Sequence, residues 1–141
     1  MKILLIGYGR MGKLIEQTAS AAHDEIAAVI DLDNIHFLAA MDRVADVAID
    51  FSAPDALAPV EDYIRRTGTP LLSGVTGYSE EQMDRLRALS AYAPVLHSGN
   101  YSVGIAVFRR VLEQVSAILK PDVDVEITEI HHHQKVDAPS G

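Results

Sequence analysis

The densest group of chemically active side chains lies in Glu129-Ile130-His131-His132-His133-Gln134-Lys135-Val136-Asp137-Ala138-Pro139-Ser140-Gly141. An imidazole donates a proton near neutral pH. Lys135 supplies a fixed cation for a carboxylate, or a second proton donor. Ser140 and Gly141 add a hydroxyl and accessible backbone N–H groups, the makings of an anion-binding turn. Together these types suit the reduction of an unsaturated, doubly carboxylated small molecule beside a hydride source. Two plainer readings compete. Three consecutive histidines with Glu129 suggest a metal, but neighbours on an extended chain point to opposite sides and the chain has no cysteine, so no metal is expected. The histidines could also be an inert solvated cluster, although their internal position argues against a purification tag.

A hydride source is legible at the other end of the chain. Gly7-Tyr8-Gly9-Arg10-Met11-Gly12 follows the apolar run Ile3–Ile6, giving G-x-G-x-x-G between a strand and a helix. Gly7 permits the tight turn, Gly9 lets a pyrophosphate approach the backbone, and Gly12 lets helix and strand pack closely. Asp31 ends the second strand, where a carboxylate binds adenosine ribose hydroxyls. It repels a 2′-phosphate, and Leu32, Asp33 and Asn34 supply no offsetting cation, so NAD(H) is favoured and NADP(H) remains possible. Glycine-rich turning without a ligand leaves this ordered placement to coincidence. Asp31 alone could be a solvated strand end. Gly74-Val75-Thr76-Gly77 and Ser98-Gly99-Asn100-Tyr101 follow later strands and could approach the nicotinamide, or simply turn the chain.

These loops require alternating elements. Strands are expected at Lys2–Ile6, Ile26–Asp31, Val47–Phe51, Pro70–Ser73 and Pro94–His97. Helices are expected from Met11 to about Ala22, near Phe37–Asp42, over Asp55–Thr67 with Pro54 in the first turn, and from the Ser79-Glu80-Glu81-Gln82 capping box to about Tyr92. Strand–helix alternation predicts a doubly wound α/β sheet of parallel strands, the Rossmann type. Beyond a boundary near residue 101, Val103–Leu119 suits a longer helix. Val123, Val125 and Ile127 then alternate with Asp124, Glu126 and Thr128 as a strand with one wet face, the start of an α+β unit. The expected domains are residues 1–101 for dinucleotide binding and 102–141 for the beginning of a substrate domain.

Composition narrows the partners. A net charge of −8 with no dense basic run argues against nucleic acid. The four-residue N-terminal apolar run is too short for a signal peptide, and no stretch approaches the roughly 20 apolar residues of a membrane span. A soluble, cytoplasmic protein without membrane association is expected.

The segment Glu129–Gly141 resembles the E-x-H-H-x-x-K-x-D-A-P-S-G signature of the dihydrodipicolinate reductases. Asp50-Phe51-Ser52, Gly74–Gly77 and Asn100-Tyr101-Ser102-Val103-Gly104 resemble further family segments in the right order. The resemblance implies hydride transfer from NAD(P)H to 4-hydroxy-tetrahydrodipicolinate, with loss of water, on the diaminopimelate route to lysine. It implies His131 as acid catalyst and Lys135 as the second catalytic residue. His132, Lys135, Ser140 and Gly141 would contact the substrate carboxylates. Gly7, Tyr8, Gly9, Arg10, Met11, Gly12, Asp31, Gly74, Val75, Thr76, Ser98, Gly99, Asn100 and Tyr101 would bind the cofactor. A homotetramer assembled through the substrate domain is also implied.

The sequence departs from the family in places. Many relatives have one more residue in the first glycine loop. Val75 replaces a common threonine, and Leu32 stands where relatives often carry a basic residue. Relatives continue beyond Gly141 with the rest of the substrate domain, so the 141 residues alone are expected to bind cofactor weakly and to be inactive. Two other functions fit parts of the chain. Another NAD-dependent amino-acid oxidoreductase shares the first motif but not the His–Lys segment. A nucleotide-sensing module gives His131 and Lys135 no task.

Overall fold

The computed structural model describes residues 1–119 together with Val123, Asp124, Glu126, Thr128 and Ile130. The chain divides into two compact units, Met1–Ser98 and Gly99–Gly141.

The first unit is built on one five-stranded parallel sheet. Its strands are β1 (Lys2–Ile6), β2 (Glu25–Ile30), β3 (Val47–Asp50), β4 (Leu71–Ser73) and β5 (Val95–His97), in the spatial order β2-β1-β3-β4-β5. Ile3, Leu4, Leu5 and Ile6 are all buried, as a continuous apolar strand inside a parallel sheet must be. Leu4, Ile6, Ala48 and Leu71 join one core with Leu57, Val60, Tyr63 and Ile64 of α2 (Leu57–Thr67) and with Leu86 of α3 (Glu80–Ala88). Strand alternation sends Ile3 and Leu5 to the opposite face. There α1 (Arg10–Ala21) packs on β1 and β2 without joining that core.

The helix ends follow their sequence signals. Ser79 Oγ accepts the Gln82 N–H at 3.2 Å and Gln82 Oε1 accepts the Ser79 N–H at 3.0 Å, the reciprocal pair expected of a capping box. The Gln82 amide also donates to the Pro54 carbonyl at 3.0 Å, tying α3 to the segment after β3. Gly68 closes α2 in the left-handed region (φ +64°). The helix expected near Phe37–Asp42 is a 3-10 turn at Ile35–Ala39, and Arg66 caps the carbonyls of Leu38 and Met41 at 2.6 and 3.0 Å. Two other helices tighten at one end. Pro54–Ala56 precedes α2 as a 3-10 turn, and Leu89–Ala91 finishes α3 the same way.

The second unit contains α4 (Val103–Leu119). Asn100 Oδ1 accepts the Ser102 N–H at 2.9 Å and Ser102 Oγ accepts the Ile105 N–H at 3.4 Å, so the turn before α4 is built from side chains. None of the residues of α4 is buried. Of the strand expected at Val123–Thr128, Val125 and Ile127 lie outside the described residues; Val123, Asp124, Glu126 and Thr128 carry no strand pairing. Among the described residues, no helix is long and apolar enough to cross a membrane.

Candidate functional site

The strand order turns back between β1 and β3, and in open parallel sheets the crevice beyond the carboxyl ends at such a point receives ligands. The first glycine loop lies there. Gly7 has φ +86° and donates its N–H to the Ile30 carbonyl at 2.7 Å. A Cβ on Gly7 would stand 2.6 Å from the Phe51 carbonyl carbon and 2.6 Å from the Ser52 nitrogen. A Cβ on Gly12 would stand 2.1 Å from the Gly7 carbonyl oxygen. Both positions therefore exclude a side chain by protein contacts alone. Gly9 differs, because nothing lies within 4 Å of a Cβ built on it. It heads α1 with no side-chain cap, leaving first-turn N–H groups for a ligand. The open space over Gly9 fits a dinucleotide pyrophosphate, which needs to approach the backbone closely.

Tyr8 folds back from this loop, donating its hydroxyl to Glu16 Oε2 at 2.5 Å. That bond to a carboxylate holds the phenol above its ordinary range. Arg10 and Met11 are exposed on the first turn of α1. Asp31 follows Ile30, so it sits at the strand end beside the Gly7 turn. It is exposed, its backbone N–H bonds Asn34 Oδ1 at 2.6 Å, and its Oδ1 accepts the Leu32 N–H at 2.9 Å. Leu32 is 70% exposed, an apolar neighbour where a cation would be needed for a 2′-phosphate.

The loop after β4 also reaches this edge. The Gly74 N–H donates to the Asp50 carbonyl at 2.8 Å, and a Cβ on Gly74 would lie 2.2 Å from the Phe51 ring. Val75 is only 2% exposed and its N–H lies 3.4 Å from Ser73 Oγ, so its side chain faces the core. Thr76 is half-buried, and the Ser98 N–H donates to the Ser73 carbonyl at 3.2 Å. The structure thus brings Gly7–Gly12, Asp31, Gly74–Thr76 and Ser98 to one edge of the first unit. Gly99, Asn100 and Tyr101 belong to the second unit and are exposed there. His131, His132, Lys135, Ser140 and Gly141 lie outside the described residues. Among the described residues, no cluster of His, Asp or Glu could hold a metal.

The same edge carries residues that sequence reasoning did not select. Asp50, Ser73 and His97 are the last residues of β3, β4 and β5, paired in register and therefore on one face. Asp50 is 1% exposed. Burial pushes its carboxyl above the ordinary range, against the opposing pull of Ser52 hydrogen bonds and nearby His97. Tyr78 packs its ring 5.6 Å from that of His97, and burial pushes its hydroxyl up to about 12 despite the Ser73 hydroxyl nearby. Asp50 Oδ2 and His97 Nδ1 are buried without a hydrogen-bond partner among the described residues. The available signal was an acid ending an otherwise apolar strand, Val47-Ala48-Ile49-Asp50.

Two family models match the chain, "Dihydrodipicolinate reductase, N-terminus" over residues 1–101 and "Dihydrodipicolinate reductase, C-terminus" over residues 104–141. Similar curated proteins carry the name 4-hydroxy-tetrahydrodipicolinate reductase. The one from Clostridium novyi (strain NT) is 40% identical over 150 residues, covering 99% of this chain and 60% of its own length. The one from Staphylococcus saprophyticus is 41% identical over 152 residues, covering 100% and 60% respectively. The one from Alkaliphilus metalliredigens is 38% identical over 143 residues, covering 100% and 59%. The chain therefore spans about 60% of the length of these relatives.

Proposed function

This chain belongs to the dihydrodipicolinate reductase family, and from that membership we propose that it supplies the dinucleotide site and the catalytic segment of a 4-hydroxy-tetrahydrodipicolinate reductase. The single observation that carries the dinucleotide part is the ordered glycine loop. Gly7 and Gly12 are closed to side chains by the protein itself, whereas Gly9 is open beside an uncapped helix end. Nicotinamide cofactor, when bound, supplies the hydride. The first-turn N–H groups of α1 hold its pyrophosphate, and Asp31 accepts hydrogen bonds from the adenosine ribose. Backbone groups of Gly74–Thr76 and Ser98–Tyr101 line the nicotinamide end. His131 donates the proton that accompanies reduction and loss of water. His132, Lys135, Ser140 and Gly141 hold the two substrate carboxylates by charge and hydrogen bonding. NADH is favoured over NADPH, with the functional protein a cytoplasmic homotetramer bound to neither nucleic acid nor membrane.

The proposal is tested at Gly9. Gly9→Ala meets no protein atom and the backbone there has φ −76°, so the thermal midpoint should stay within about 2 °C of the unsubstituted chain. NADH affinity, read by NMR titration, should fall at least tenfold, roughly the equivalent of one lost charge-assisted hydrogen bond. Unchanged affinity would take the pyrophosphate away from this loop. Cofactor choice is tested separately. Asp31→Ser with Leu32→Arg should move the ratio of kcat/KM towards NADPH by about tenfold or more in a full-length enzyme carrying these residues. An unchanged ratio removes Asp31 from the ribose.

A further inference from the structure

Asp50 ends the strand next to the phosphate loop, at the point where the strand order turns back. Its Oδ1 accepts both the Ser52 N–H at 2.9 Å and the Ser52 hydroxyl at 2.6 Å. Its Oδ2 is buried without a hydrogen-bond partner among the described residues. A carboxyl so placed is a poor stabiliser, since a buried polar group with an unmatched atom costs more than an apolar side chain of similar volume. Its use must lie in the turn that it fixes.

That turn presents Phe51 to two loops at once. The Phe51 N–H donates to the Ile6 carbonyl at 2.8 Å, and the peptide after it abuts Gly7 so closely that no Cβ fits. The Phe51 ring lies against Gly74, within 2.2 to 2.7 Å of where a Cβ would be. Phe51 is therefore the spacer between the loop after β1 and the loop after β4. A ligand reaching across both loops depends on that spacing, whereas a ligand touching only the first does not.

We infer that Asp50, acting through Ser52 and Phe51, is a positioning residue that sets the distance between the phosphate loop and the Gly74–Thr76 loop, and with it the affinity for the complete dinucleotide. The inference rests on the dinucleotide reading above and adds to it a residue that touches no ligand. It is tested by NMR titration of the 141-residue chain with NADH and, separately, with ADP-ribose, which lacks the nicotinamide. Asp50→Ala should weaken NADH about tenfold but ADP-ribose less than about twofold. Asp50→Asn keeps an oxygen acceptor for Ser52 and should bring NADH back to within about threefold of the unsubstituted chain. Ser52→Ala removes only the hydroxyl bond and should show the same selectivity at about threefold, deciding the matter if Asp50→Ala does not fold. Equal losses for both ligands would reduce Asp50 to a structural role and overturn the inference, as would unchanged NADH affinity in the folded variants. If the unsubstituted chain binds neither nucleotide, the dinucleotide reading fails first and the inference falls with it.

Discussion

In a full-length enzyme carrying these residues, His131→Ala should lower kcat by about 10²- to 10⁴-fold, the usual contribution of a positioned proton donor. KM for NADH should change little, because the groups proposed to hold the cofactor, Gly7–Gly12 and Asp31, come from the other part of the chain. Lys135→Ala should lower kcat/KM for the dicarboxylate at least as severely if, as proposed, it supplies the cation for a substrate carboxylate. Steady-state kinetics with each substrate varied in turn separates the two effects. A His131→Ala enzyme with near-normal kcat would end its assignment as the acid. Treatment with a chelator should leave the enzyme active, and reversible inactivation would bring back the metal reading of the three histidines.

The second large effect is expected at Gly12. A Cβ there would sit 2.1 Å from the Gly7 carbonyl oxygen, and that atom is backbone, so no rotamer change relieves it. Either α1 moves away from β1 or the Gly7 turn opens. Overpacking of this kind costs about 1–3 kcal/mol or more, and about 4–8 °C of thermal midpoint accompanies each kcal/mol in a unit of this size. Gly12→Ala should therefore lower the midpoint by about 10 °C or more, while Gly9→Ala, three positions earlier on the same motif, leaves it nearly unchanged. Thermal denaturation of the two variants side by side checks this. Equal midpoints would mean that the glycines are not divided between packing and ligand approach.

This division was legible in the motif, whereas the rest of the site was legible only in part. The G-x-G-x-x-G spacing announces a phosphate loop, and the apolar run before it announces a buried parallel strand. The capping box at Ser79 is a local signal, because its partners lie three residues apart, and it appears as expected. Gly74 illustrates the limit. Its small size reads equally well as a turn or as ligand approach, and the structure adds a third cause, the ring of Phe51 from the loop after β3. Val75 reads as a lost hydroxyl at a cofactor contact, yet its side chain is buried. Asp50 belongs to a family-like segment of the sequence but receives no role from it, for a related reason. The register that aligns it with Ser73 and His97 is a long-range property, and nothing local to Val47–Phe51 reports it.

The most direct test of the whole account is turnover by a full-length enzyme that carries these 141 residues, supplied with NADH and freshly generated 4-hydroxy-tetrahydrodipicolinate. The account predicts NADH oxidation matched one for one by formation of tetrahydrodipicolinate, and slowed about 10²- to 10⁴-fold by His131→Ala. Tight NADH binding with no consumption of that substrate would contradict it, leaving a dinucleotide site without the reduction assigned to it.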